Sequence, residues 1–188
     1  FAMVKILNTR KKNFEKEFNN LLKKRDQDDK KIDSNVSKII DQVRINSDKA
    51  LVKLTKKFDK SDVNKIDDLI VKEAELKKSY NILKKSTRVS LKKAISRIKS
   101  YHSKQKPSNT MYRDKEGILL GGIWNPIDSV GLYVPGGTAA YPSSLIMNAV
   151  PAIVAGVKRI VVTVPATNGK LNPSVLASCE MLGIKEIY

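Results

Sequence analysis

The stretch Val130–Met147, VGLYVPGGTAAYPSSLIM, holds the residue types and spacing that suit a phosphate or dinucleotide. An apolar run, Val130–Val134, meets Pro135-Gly136-Gly137. A turn of small residues follows, and a helix is expected to start near Pro142-Ser143-Ser144. A strand, a glycine turn and a helix N-terminus together let a ligand approach the backbone, and free N–H groups at the helix start attract anions. The general dinucleotide fingerprint GxGxxG is absent, so the layout alone does not fix the ligand. On the residues alone, Tyr133 is either an aromatic packed on a nucleotide ring or a partly buried tyrosine over an ordinary turn. Ser143 and Ser144 are explained by N-capping, worth ~1 kcal/mol, or by a hydroxyl near substrate or nucleotide. Asn148, one turn on, reads as polar helix surface or as a further ligand contact.

Other chemistry is thin. The one histidine, His102, sits in the basic run YHSKQ with no carboxylate or second histidine near it in sequence. It reads as a packed or capping residue at a helix end, with acid–base use as the alternative. Zinc takes three or four ligands from His, Cys, Asp and Glu. His102 and the single cysteine, Cys179, make no ligand-spaced cluster, so no metal ligand is assigned in this chain. Cys179 lies in the apolar stretch VLASCEML and is expected as a buried free thiol, which suits a reducing cytoplasm.

The elements that must position these groups fall into two parts. Residues 1–106 read as helical hairpins. Phe14, Phe18, Leu21 and Leu22 share one helical face, Asp33-Ser34-Asn35 is an N-cap cluster, and Val36, Ile39, Ile40 and Val43 recur at helical spacing. Asn46-Ser47-Asp48 breaks the pattern. Asp67–Val71 suggests a short strand, residues 73–83 a helix, and Val89 to Tyr101 a longer one. After Lys106-Pro107-Ser108-Asn109 come apolar runs bounded by glycine and proline: Ile118–Leu120, Ile123-Trp124, Val130–Val134 and Ile160–Val164. A helix from about Ser143 to Val154 is stopped by Gly156, and a second, opened by Pro173, ends at Gly183. A new strand is expected over Ile184–Tyr188. Strand–helix–strand–helix–strand order implies an α/β fold with a parallel sheet and right-handed crossovers in residues 107–188. A sheet that stops at a new, uncovered strand is expected to belong to a longer protein.

The wording of these segments resembles histidinol dehydrogenase. VGLYVPGG, YPSS, LIMNAVPAIVAGV and VVTVP carry the resemblance, with AISRIKSYHSKQ (Ala94–Gln105) and Ser47-Asp48-Lys49-Ala50-Leu51 through Thr55 to Phe58-Asp59 upstream. Ser47 stands where that family usually has glycine. The resemblance implies NAD-dependent oxidation of L-histidinol, through the aldehyde, to L-histidine in histidine biosynthesis. It implies a helical arm followed by the first half of a Rossmann-like, aldehyde-dehydrogenase-like sheet, in a homodimer. It carries NAD contact to Tyr133; beside it, Pro135, Gly136 and Gly137 are expected as the rest of the cofactor side on the layout of the turn, and Ser143 at the helix start is the candidate for substrate. It also implies a zinc site and a Glu–His acid–base pair whose residues lie beyond Tyr188. No catalytic residue is therefore assigned in this chain, and alone it is expected to be inactive.

Charge offers a competing reading. The net charge is +17, and residues 1–116 hold 32 of the 36 Lys and Arg against 16 of the 19 Asp and Glu, which leaves +16 there. A basic arm on a neutral domain suits a non-catalytic binding module with non-specific nucleic-acid affinity. Against specific nucleic-acid binding stand the interleaved acids Asp26, Asp28, Asp29, Asp67 and Asp68, sparse aromatics and the absence of a binding motif. No apolar run is long enough to span a membrane.

Overall fold

The computed structural model describes residues 6–136, 141–166 and 169–188, with backbone alone over residues 24–31. Contacts divide the chain into two compact units, Phe1–Leu51 and Val52–Tyr188. Among the described residues, no helix is long and apolar enough to cross a membrane.

The first unit is built on helix α1, which runs Phe14–Phe58 and extends past the unit's end. Asp33-Ser34-Asn35, expected to cap a new helix, instead lies inside α1 with all three residues exposed. The reason is a difference of scale. Their interior cost is a few tenths of a kcal/mol each, too little to end the helix. The break expected at Asn46-Ser47-Asp48 is present. Ser47 adopts φ 46°, ψ −128°, close to the first central position of a type II′ turn, where glycine is the favoured residue. Phe18, Leu21, Leu22, Val36 and Ile40 are exposed along α1.

In the second unit, the strand expected over Asp67–Val71 is instead a 3-10 turn, η1 (Ile66–Leu69). The Asp68 carboxylate accepts from the N–H groups of Asn64 (2.8 Å) and Lys65 (3.1 Å) and winds the backbone into that turn. Only Val71 retains sheet character: its N–H donates to the Ile187 carbonyl at 2.9 Å. Helices α2 (Glu73–Ile82) and α3 (Lys85–Ser103) follow. An antiparallel hairpin, β1 (Thr110–Arg113) with β2 (Leu119–Gly122), comes next. Strand β1 was not signalled by the sequence, and Ile123-Trp124 falls outside any strand. Asp114 Oδ1 accepts from the N–H groups of Glu116 and Ile118, and Gly117 at φ 83° closes the turn.

The remaining elements alternate: β3 (Ser129–Tyr133), α4 (Pro142–Ala155), β4 (Arg159–Thr163), α5 (Pro173–Leu182) and β5 (Glu186–Ile187). They form a parallel sheet in the order β3-β4-β5. Gly156 (φ 94°) and Gly183 (φ 71°) terminate α4 and α5 in the left-handed conformation, and Asn172 caps α5 through the Ser174 N–H. Both helices open with proline, whose missing N–H costs nothing in a first turn.

The core lies between the sheet and these helices. Leu132, Val134, Val162 and Val164 meet Leu145 and Ala149 of α4 and Val175, Leu176 and Cys179 of α5. Helix α2 packs on α5, and α3 on α4. Val71 and Leu76 thus join the same core, so the compact unit begins at Val52, whereas a break in composition had suggested a boundary at residues 106/107. The alternate strand residues, Ser129, Gly131, Tyr133, Arg159 and Thr163, are exposed on the opposite face of the sheet. There Arg159 donates to Glu186, Nη2 to Oε2 at 2.7 Å and Nε to both oxygens at 3.0 Å.

Two predictions follow from the backbone and this ion pair. A serine at φ 46° carries strain of order 1 kcal/mol that glycine lacks. Ser47→Gly should therefore raise unfolding free energy by about 1 kcal/mol in a urea titration; no gain would mean that the turn is relaxed with serine. The Arg159 hydrogen bonds hold Glu186 below the usual carboxylate range. A depressed folded value gives stability that is full above the unfolded value and lost as pH falls through the folded one. Glu186→Gln should therefore lower the thermal midpoint at about pH 7, with the gap closing toward about pH 3. A gap constant across that range would show that the ionised pair is not its source.

Candidate functional site

The site sits at the carboxyl end of the parallel strands, where open α/β sheets bind ligands. Strand alternation sets its geometry. Leu132 and Val134 point into the core, so Tyr133 between them points to the exposed face and is 65% exposed. It pairs in register with Thr163 of β4. Gly131, two residues back on the same face, leaves open space: a Cβ built there meets no atom within 4 Å. The Tyr133 ring thus stands beside uncovered sheet backbone at the strand's end.

Past β3 the ladder continues by single bonds. The Val134 N–H donates to the Thr163 carbonyl (2.9 Å), the Val164 N–H to the Tyr188 carbonyl (2.8 Å) and the Tyr188 N–H to the Val162 carbonyl (2.9 Å). Both strands then leave the sheet at a proline, Pro135 and Pro165. Gly136 lies against the second of these: an added Cβ would come within 2.9 Å of the Pro165 Cβ. Packing alone therefore requires glycine at 136. This contact was missed in the sequence, although Tyr133-Val134-Pro135 and Thr163-Val164-Pro165 repeat the same ending and could have pointed to it. Gly137 lies outside the described residues.

Helix α4 starts at Pro142, with Tyr141 as its N-cap and no side-chain cap bond. Ser143 and Ser144 therefore sit inside the first turn, and the N-capping expected of them is not their role. Ser143 is exposed. The Ser144 N–H donates to the Tyr141 carbonyl at 3.1 Å, and Asn148 Nδ2 donates to the Ser144 carbonyl at 2.8 Å. Asn148 is thus bonded along its own helix. Pro142 has no N–H and the Tyr141 carbonyl accepts those of Ser144 and Leu145, so the first-turn donor left for a ligand is the Ser143 N–H.

His102 is elsewhere, in the last turn of α3. Its Nδ1 donates to Gln105 Oε1 at 2.7 Å, and its ring meets Tyr101 edge to face. It is a packed, hydrogen-bonded helix-end residue lining a 340 Å³ cavity with Trp124, Pro126 and Pro151. Cys179 is buried, and burial pushes its thiol up to about 12, so it is neither a ready thiolate nor a ready metal ligand. Among the described residues, no three His, Cys, Asp or Glu side chains are grouped to hold a metal ion. The residues present do not fit zinc. They do fit one side of a dinucleotide site: an exposed aromatic ring, open backbone beside it and a helix N-terminus following.

Comparison with known proteins gives the family. Residues 22–188 match the sequence profile of the family described as histidinol dehydrogenase. The chain is 43% identical over 186 residues to the histidinol dehydrogenase of Brucella abortus (strain 2308), covering 99% of this chain and 43% of that protein. It is 42% identical over 185 residues to that of Wolinella succinogenes, covering 98% of this chain and again 43% of the relative. The crystal structure of histidinol dehydrogenase from Elizabethkingia anophelis superposes with a TM-score of 0.77 at 30% identity, over 84% of this chain and 36% of that one. The chain thus spans less than half the length of these relatives. With a profile match over most of its residues and a parallel α/β fold shared with a solved member, the chain belongs to the histidinol dehydrogenase family.

Proposed function

We propose that this chain serves as the cofactor-side portion of a histidinol dehydrogenase, an enzyme that oxidises L-histidinol by way of histidinal to L-histidine with NAD. The observation that carries the reading is Tyr133, exposed at the carboxyl end of β3 beside the open backbone of Gly131. NAD, when bound, accepts hydride from the carbinol carbon of the substrate. Tyr133 supplies an aromatic face for the nucleotide. Pro135 and Gly136 set the path of the chain away from that face, with Gly137 next in the motif. The Ser143 N–H in the first turn of α4 suits a negatively charged group, and the Ser143 hydroxyl serves a substrate polar group.

The family resemblance implies zinc and an acid–base pair beyond Tyr188, and no metal step is assigned to the residues of this chain. The exposed apolar side chains of α1, Phe18, Leu21, Leu22, Val36 and Ile40, suit packing against a second subunit, so the parent is proposed as a homodimer that packs through this helix. The partnerless thiol of Cys179 suits the cytoplasm. The alternative is a non-catalytic basic binding module, favoured by the +16 charge of residues 1–116.

The test uses the 188-residue chain. With L-histidinol and NAD it should form no NADH, read at its absorbance band. In amide NMR, NAD at millimolar concentration should shift Tyr133–Gly136 and Ser143-Ser144 and little else. Tyr133→Ala should abolish those shifts and leave the melting temperature unchanged. Gly136→Ala should lower stability by about 1–3 kcal/mol through its clash with Pro165. NADH formation by this chain, or NAD shifts that survive Tyr133→Ala, would overturn the assignment.

A further inference from the structure

A second cluster lies far from Tyr133 in sequence, on helices α2, α3 and α5. From Leu76 to Arg113 the chain carries twelve Lys or Arg and no Asp or Glu. Helix α3 runs through the middle of that segment. Two of its cations, one turn apart, share a single aromatic ring: the Arg88 guanidinium carbon lies 5.1 Å from the Tyr80 centroid, and Lys92 Nζ lies 5.6 Å from it. Like charges at this spacing on a helix repel; the ring's negative face offsets the repulsion and holds both side chains in place. Hydrogen bonding and charge from Lys92, and then the charge of Arg88, draw the Tyr80 phenol below its ordinary value.

Beside this pair is a cleft of 530 Å³ lined by Tyr80, Lys92, Ser96, Lys99 and Glu180, with Ile95 and Met181 as its apolar wall. That volume suits a small metabolite. Among the described residues, no carboxylate lies within ion-pair distance of Arg88, Lys92 or Lys99; the nearby pair is Lys77 with Glu73, at 2.7 Å.

We propose that this cleft binds the phosphate monoester group of a small phosphorylated, hydroxyl-bearing metabolite. A phosphate dianion held in the cleft by Lys92 and Lys99, with the Arg88 guanidinium beside Lys92 on the Tyr80 ring, neutralises the repulsion and takes charge-assisted hydrogen bonds. The Ser96 hydroxyl, on the same helix between Lys92 and Lys99, adds a donor. Glu180 sets the polarity of the site: its carboxylate accepts from the ligand's hydroxyls and repels a second anionic group. A nucleic-acid backbone laid along α3 would bring successive phosphates past Glu180, so the single phosphate group of a small ester is the better match. The site shares no residue with the NAD reading and stands or falls separately from it.

The experiment is a titration of the full 188-residue chain at fixed ionic strength, followed by amide NMR. The probes are glucose 6-phosphate, glucose, inorganic phosphate and a short DNA duplex. Glucose 6-phosphate should shift Tyr80, Arg88–Lys99 and Glu180 saturably, inorganic phosphate should shift the same residues more weakly, and glucose should shift none. The double variant Arg88→Gln, Lys92→Gln should weaken glucose 6-phosphate binding at least tenfold. Lys99→Gln alone should weaken it severalfold, with both variants keeping the wild-type melting temperature. Non-saturating shifts, or binding unchanged in these folded variants, would overturn the proposal. So would a duplex that shifts the whole of α3 from Lys85 to Ser103 while glucose 6-phosphate shifts nothing; that would assign the helix to nucleic acid. Shifts at Tyr133–Gly136 report on the cofactor site and do not bear on this one.

Discussion

The two-residue period of strands β3 and β4 is the constraint on which the rest depends. Leu132, Val134, Val162 and Val164 must enter one core with α4 and α5. Their neighbours Gly131, Tyr133 and Thr163 then have to face the other way. A one-residue slip in pairing would bury Tyr133 and Thr163 and expose four valine and leucine side chains, so core burial enforces the register Tyr133↔Thr163. The exposure of Tyr133 is thus set by the burial of its neighbours. The prolines at 135 and 165 end both strands at the same level, and Gly136 is the residue small enough to let those two endings meet.

Where local chemistry and tertiary packing agree, the elements could be read from the residues. Pro142, Gly156, Pro173 and Gly183 punctuate α4 and α5 as their backbone chemistry dictates, and the apolar runs 130–134 and 160–164 became β3 and β4 within a residue. The family was legible through VGLYVPGG because its wording is specific, not because a glycine turn is. Readings failed where a weak local preference met a stronger context. Asp33-Ser34-Asn35 suits a cap, yet α1 passes through it in solvent. The Asp68 carboxylate recruited backbone donors from Asn64 and Lys65, and a segment that looked extended wound into a turn. Hairpin β1–β2 has no buried face to impose a two-residue period, since every residue in both strands is exposed.

Charge is distributed with the same division of labour. The sheet and its two helices are nearly neutral, and their one surface pair, Arg159 with Glu186, is internal to the sheet. The excess of positive charge lies on the helices that precede them. In α3 it is uncompensated within the helix, and Tyr80, contributed by α2, is what gathers two of those cations onto one ring. A lysine-rich composition by itself signals only solubility and non-specific attraction; a fixed ring, a cleft and an opposing carboxylate turn part of it into a shape.

The bond from the Val71 N–H to the Ile187 carbonyl joins residues more than a hundred positions apart, and the packing of α2 on α5 spans a similar stretch of sequence. Neither helix can complete its burial until the other exists. A chain emerging from the ribosome would carry α2 and α3 as unsettled amphipathic helices throughout the synthesis of the sheet, and the unit would close late, in one cooperative event. Such non-local closure is slow relative to helix formation. This architecture should therefore depend, during its birth, on whatever keeps exposed apolar helix faces apart until β5 arrives.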